Sequence, residues 1–379
     1  KGVVLSAGNM AFMLPVIASA IDELMGPQGE DHRVFHYLPF CFAGSRMVLW
    51  MCLFRANGLM VSTDLQNLAQ EFKTADPNYF LNVPALLERI KNGVEAKLRT
   101  RHALVQALYD RGVRAYQAAS QGGASIGQRV ILALAQRVVF SAIKAQIGPQ
   151  LRCLICGSAP LGPDTQRWFE MIGIPVYQVY GLTETTAIVT MDKPHCIEPG
   201  RVGHALDGCE VRLTEEGELQ VKGPNIFVGY WGRDEATASA FQDGWFKTGD
   251  RCERDDTGNL RVIGRVRNLL VPSSGHNIAP EPIEQRLIET TEGLEQAVLI
   301  GHGRPFITAI VAGDVSPGLM TAAIDRVNAD LPHYRRIRDF HLSDTVFTPE
   351  NGLLTANQKL RRGAIERHFE AAIEEMYVR

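Results

Sequence analysis

The stretch Val179-Tyr180-Gly181-Leu182-Thr183-Glu184-Thr185-Thr186 decides how the rest of the chain is read. It follows an apolar run, Ile174 to Val179, that reads as a buried strand ending at the glycine. Open α/β sheets bind ligands in loops at the carboxyl ends of their strands. Gly181 permits close backbone approach, and the threonine hydroxyls can donate to phosphate oxygens. Glu184, a lone carboxylate among them, suits Mg²⁺, which takes one or two carboxylates alongside substrate phosphates. Tyr180 offers a flat face to a base. The plainer alternative is a polar turn with a helix cap, because Thr183 followed by Thr186 resembles a start signal.

Composition narrows the choices. At 379 residues the chain exceeds one ordinary domain. A hydrophobic fraction of 45% and a charged fraction of 21% are globular values. A net charge of -3 with no dense basic run argues against nucleic acid as a partner. Seven cysteines, an odd number, suggest a reducing compartment and a cytoplasmic location. Cys153 and Cys156 form a lone C-x-x-C in a strand-like run and read as buried strand residues, not as zinc ligands. The apolar run Met47 to Phe54 falls short of the about 20 residues a membrane span needs, so no transmembrane segment is expected. Any membrane contact is expected to be peripheral.

Along the chain, helices are expected at Met10 to Met25, Arg46 to Asn57, Leu65 to Phe72 and Ala85 to Leu98. Strands are expected at Val34 to Phe40, near Val61 and at Tyr79 to Val83. Arg99 to Ile147 reads as helical, broken at Gln121-Gly122-Gly123, with basic side chains of Gln128 to Ile147 forming a solvated face. A strand from Leu151 to Ile155 and a helix from Asp164 lead to the opening stretch. Short strands between Gly200 and Gly264 suit a small antiparallel unit. Val266 to Val271 leads to Gly275 and a helix from Pro280, and strands Ala297 to Ile300 and Ile307 to Ala312 come next. A helix from Gly318 to Leu331 and a final helix after Lys359 complete a smaller α+β unit. The expected fold class is multidomain α/β and α+β. Residues 1–266 form a large domain, with 195–264 its small β subdomain, and residues 267–379 form a small one.

Three further stretches join the first. Gly157-Ser158-Ala159-Pro160 is a second small-residue loop after a strand. Gly244-Trp245-Phe246-Lys247-Thr248-Gly249-Asp250 places a carboxylate at a glycine turn, and Gly264-Arg265-Val266-Arg267 follows a strand end. In this order they resemble the adenylate-forming superfamily of acyl-CoA synthetases, luciferases and peptide-synthetase adenylation domains, over essentially the whole chain. Tyr37-Leu38-Pro39-Phe40, Asn82 to Ile90, Asn277 to Glu284 and the tail from Glu350 through Arg362 look most like its long-chain fatty acyl-CoA synthetases.

The resemblance implies an adenylate-forming fold whose small C-terminal domain is mobile. It also implies roles. Gly157, Ser158 and Ala159 would line the adenine and ribose of ATP, and Val179, Tyr180, Gly181 and Leu182 would pack on the base. Thr183 would bond the phosphates and Glu184 would hold Mg²⁺. Asp250 would accept from the ribose hydroxyls, assisted by Arg265. Arg267 would be the hinge, and Lys359 the catalytic lysine of adenylation. The loop Gly275-His276-Asn277 would face coenzyme A. The implied activity is AMP-forming activation of a fatty acid and its transfer to coenzyme A. The alternatives are a fatty acyl-AMP ligase serving a carrier protein and a non-catalytic fragment binding nucleotide or lipid.

The sequence departs from that pattern in three places. The family's Ser/Thr/Gly-rich phosphate loop ends in Pro-Lys-Gly-Val, whereas this chain opens at Lys1-Gly2-Val3, so an N-terminal part is expected to be missing. Phe42 and Ser45 stand where long-chain synthetases commonly show histidine and glutamate. Asn268 replaces a frequent acidic residue beside the hinge.

Overall fold

The computed structural model describes residues 1–26, 32–64, 66–194, 196–355 and 359–378. The chain divides into two compact units, Lys1–Thr248 with Glu253–Val262, and Gly249–Cys252 with Ile263–Arg379.

The first unit is built on a five-stranded sheet in the order Leu81–Asn82, Leu154–Cys156, Val176–Tyr180, Thr190–Met191 and His204–Ala205. The first three strands are parallel and the last two antiparallel. Strand Val176–Tyr180 is buried up to Tyr180, Gln178 included, as expected of a strand inside a covered sheet. Helices Pro84–Arg99, Ala103–Ser120 and Pro163–Met171 cover this sheet, with Leu87, Phe140, Leu154, Phe169 and Val176 in one core. Each such buried side chain contributes about 1.5–3 kcal/mol relative to exposure. Helix Ala7–Met25 opens at Ser6, whose hydroxyl accepts from the Asn9 amide while Asn9 reaches back to the Ser6 N–H. A parallel pair, Arg33–His36 and Gly58–Val61, flanks helix Ala43–Arg55. A second five-stranded sheet runs Phe241–Gln242, Trp245–Arg254, Glu218–Lys222, Glu210–Leu213, with Leu260–Arg265 paired to Trp245–Arg254.

The second unit carries a three-stranded sheet, Leu294–Ile300, Ile307–Gly313 and Ile337–Ser343. Successive side chains alternate between its faces. Ala297, Leu299, Ala309 and Val311 pack with helices Glu281–Thr290 and Pro317–Ala329, whereas Val298, Ile300, Ile310 and Ala312 pack with Arg362–His368 and Glu370–Val378.

Several expectations change. Strand Val34 to Phe40 stops at His36 because Leu38-Pro39-Phe40 turns, with Phe42 N–H reaching Pro39 C=O. Helix Leu65 to Phe72 is observed at Leu68–Ala75, and Leu65 lies outside the described residues. Val266–Asn268 forms a tight 3-10 turn, and Leu270 bridges to Ile278 just beyond it. The Ile337–Ser343 strand was not expected. Nor was an apolar helix: Ile126–Ile147, not Met47 to Phe54, is the stretch long and apolar enough by length and composition to cross a membrane. Its exposed side carries apolar as well as basic side chains.

Candidate active site

Two of the expected loops meet in the first unit. Strands Leu154–Cys156 and Val176–Tyr180 are parallel neighbours, with Cys156 opposite Gln178, so their carboxyl ends lie side by side. Gly157 packs so closely on Val179 that a Cβ there would lie 2.8 Å from its Cγ2. Gly181 is tighter still, since a Cβ would come within 2.1 Å of the Ala187 carbonyl oxygen. Only glycine lets the returning chain pass. That return uses two left-handed residues, Thr186 and Ala187, at φ 54° and 82°. Such a conformation costs about 1–2 kcal/mol for a non-glycine residue. Ser158, in the neighbouring loop, is also left-handed and is exposed with Ala159.

The expected cap does not start a helix. Thr183–Thr185 is a single 3-10 turn in which the Thr185 hydroxyl accepts from the Leu182 N–H at 2.9 Å. The Thr186 hydroxyl donates to the Asn225 carbonyl at 2.7 Å. Those bonds occupy two of the three threonines and leave Thr183 exposed. Glu184 is half-buried and its Oε1 accepts from the Tyr230 hydroxyl at 2.9 Å. Tyr230 is placed by the antiparallel pairing of Gly229–Tyr230 with Val3–Val4, which also sets the Lys1 ammonium 4.4 Å from the centre of its ring. Tyr230 was missed from sequence because 46 residues separate it from Glu184. A single carboxylate steered by a phenol is a donor set that fits Mg²⁺ held mainly by phosphate.

Asp192 was also missed. It sits beside Gln178 on the neighbouring strand edge, with Oδ2 accepting from the Gln178 N–H at 2.8 Å and the Gln166 amide at 3.3 Å. Burial pushes its carboxyl up to about 7, against the pull of those two bonds. Ser45 is fully buried and its hydroxyl finds no partner among the described residues. Phe42 is half-buried at the start of helix Ala43–Arg55. Cys153 and Cys156 are both buried, with the Cys153 Sγ 3.6 Å from the Met25 sulfur.

The remaining candidates belong to the second unit. Asp250 on strand Trp245–Arg254 is buried, and Arg265 at the end of the paired strand meets its Oδ1 through Nε at 3.0 Å. Arg267 is exposed in the 3-10 turn, next to Asn268, whose amide donates to Glu281 at 2.8 Å. Gly275, His276 and Asn277 form an exposed loop, and the His276 ring lies edge-on to Tyr334 with centroids 4.1 Å apart. Lys359 is exposed beside the Leu354–Leu360 bridge, and its C=O accepts from the Thr355 N–H at 2.8 Å. Behind it, Arg362 forks onto the buried Glu284 carboxylate, which also accepts from the Leu299 N–H at 2.6 Å.

Known proteins resemble this chain in sequence or in fold. The long-chain-fatty-acid–CoA ligase FadD15 of Mycobacterium bovis is 28% identical over 92% of this chain and 62% of its own length. The peroxisomal long chain acyl-CoA synthetase 7 of Arabidopsis thaliana is 29% identical over 100% of this chain and 59% of its own. The chain thus spans about three fifths of the length of such relatives. Among solved structures, O-succinylbenzoate coenzyme A synthetase from Bacillus subtilis, in complex with ATP and magnesium ion, superposes with a TM-score of 0.67 at 21% identity, over 96% of this chain and 66% of that one. At that identity the likeness is one of fold. The AMP-binding enzyme family matches residues 1–231 and the AMP-binding enzyme C-terminal domain matches residues 267–379. On that coverage, the chain belongs to the AMP-binding enzyme family.

Proposed function

We propose that the chain serves the ATP-dependent, AMP-forming activation of a fatty acid and the transfer of its acyl group to coenzyme A. The observation that carries this reading is the pairing of two glycine loops at adjacent parallel strand ends, with Glu184 steered by Tyr230. The names of its relatives supply the substrate class. Residues 1–266 act as the adenylation domain, with 195–264 its β subdomain, and residues 267–379 as the domain that moves about Arg267.

Joining a carboxylate to the α-phosphate of ATP brings two anions together, so cations must lie where charge builds up. Gly157, Ser158 and Ala159 line the adenine and ribose, while Val179, Tyr180, Gly181 and Leu182 pack against the base. Thr183 donates to phosphate oxygens. Glu184 would hold Mg²⁺, which would supply positive charge to the triphosphate. Asp250, with its carboxylate fixed by Arg265, accepts from the ribose hydroxyls. Lys359 brings a compact cation to the reacting oxygens. Phe42 forms an aromatic wall beside the acyl carboxylate. Gly275, His276 and Asn277 border the path of the coenzyme A thiol, and domain rotation separates the two half-reactions.

Pyrophosphate release should depend on fatty acid, and acyl-CoA should appear with free coenzyme A as sole acceptor. Lys359→Ala should slow the first half-reaction about 10²-fold or more while sparing thioester formation from supplied acyl-adenylate. A wild-type adenylation rate in that variant would refute the role of Lys359. Calorimetry with an acyl-adenylate analogue checks nucleotide binding apart from turnover.

A further inference from the structure

Helices Ala103–Ser120 and Ile126–Ala135 form a close hairpin in which a Cβ on Gly112 would lie 2.6 Å from the Ala135 Cβ. The second helix continues through a π-helical turn, Gln136–Phe140, into Ser141–Ile147. One side of it, Ala135, Val139, Phe140 and Ile143, belongs to the core of the first unit. The other side carries Ile126, Val130, Leu134 and Val138, four residues apart, with 83%, 64%, 51% and 52% of their surface exposed. Single exposed apolar residues are ordinary, but a continuous line of four along one helix marks a contact surface.

The charge around this line selects the occupant. Residues 101–147 hold Arg101, Arg111, Arg114, Arg129, Arg137 and Lys144 against Asp110 alone, a net of +5 in a chain of net -3. Arg129 and Arg137 are exposed on the same helix as the apolar line. Two copies of such a face would repel each other. A spanning orientation would pull Val139, Phe140 and Ile143 out of the core. An apolar stripe with exposed arginines is the pattern of a helix lying in the plane of an anionic lipid surface.

We propose that the exposed face of Ile126–Ile147 docks the protein on an anionic lipid bilayer, with the stripe in the headgroup–acyl boundary and the arginines on lipid phosphates. This inference does not depend on the activity proposed above. It is tested by co-sedimentation with phosphatidylcholine vesicles, with and without about 30 mol % phosphatidylglycerol. The protein should partition onto the anionic vesicles, and raising salt from about 0.1 M to about 0.5 M should weaken this several-fold. Val130→Gln/Leu134→Gln should lower the partition coefficient on the order of ten-fold. Arg129→Gln/Arg137→Gln should lower it several-fold and remove most of the salt dependence, with circular dichroism and melting unchanged in both variants. The second variant leaves the apolar line intact, so loss of binding there cannot be a folding defect of that line. Equal partition onto neutral vesicles, unaltered binding by both variants, or a wild-type dimer that Val130→Gln/Leu134→Gln dissociates without any vesicle binding would overturn the proposal.

Discussion

Asp192 keeps a proton far above the usual carboxylate range because it is 2% exposed and only one of its oxygens, Oδ2, is hydrogen-bonded. In the folded chain it titrates at about 7, and the ordinary value for an aspartate is 3.8. Below about pH 4 it is protonated in both states and contributes no difference. Between the two values the folded state holds a proton that the unfolded state has released, so stability falls as pH rises and levels off above about 7, where both states are ionised. The shift corresponds to a loss of roughly 4 kcal/mol. Asp192→Asn should flatten that slope, with urea midpoints at pH 5 and pH 8 moving together where those of the parent diverge. Parallel slopes in both proteins would show that Asp192 is ionised in the fold. The same scale separates readable from unreadable contacts. Asp250 and Arg265 stand on paired strands and could be expected together, and they meet at 3.0 Å. The bond from Tyr230 to Glu184 could not be expected, because it depends on Val3–Val4 pairing with Gly229–Tyr230 across most of the unit.

Among elements, legibility followed the apolar content of the run. Ala297 to Ile300 and Ile307 to Ala312 are nearly continuous apolar runs because each strand feeds two cores, one on either face. Ile337–Ser343 reads Ile-Arg-Asp-Phe-His-Leu-Ser, with only its ends buried, and it is held by parallel pairing to Ile307–Gly313. That pairing leaves no mark in local sequence. Close to Lys359 in sequence, Arg362 is likewise fixed by a distant partner, Glu284. Both side chains are largely buried, at 15% and 5% exposure. Glu284→Gln should cost about 3 kcal/mol, since it leaves the largely buried guanidinium with Glu281 at 4.0 Å as its remaining close counter-charge. Replacing both by methionine should cost much less than the sum of the single changes, as a double-mutant cycle in urea would measure. Additive losses would show that the two side chains act separately.

At the scale of the molecule, the two units have separate cores, and calorimetry should resolve two transitions. Leu299→Ala, in a core of the second unit, should weaken one transition by about 2–5 kcal/mol and leave the other in place. Equal displacement of both would mean that the units unfold as one. By itself the sequence determined the strand ends, the glycine loops and the family, because these are local: a strand needs a run of apolar residues, and a backbone passing at contact distance needs glycine at that point. Only the tertiary structure decided which face of Ile126–Ile147 meets water, that Asp192 is buried with half its bonding capacity unmet, and that Tyr230 holds Glu184. Burial and long-range pairing are properties of the packed chain, and no local pattern encodes which distant surface a residue will be packed against.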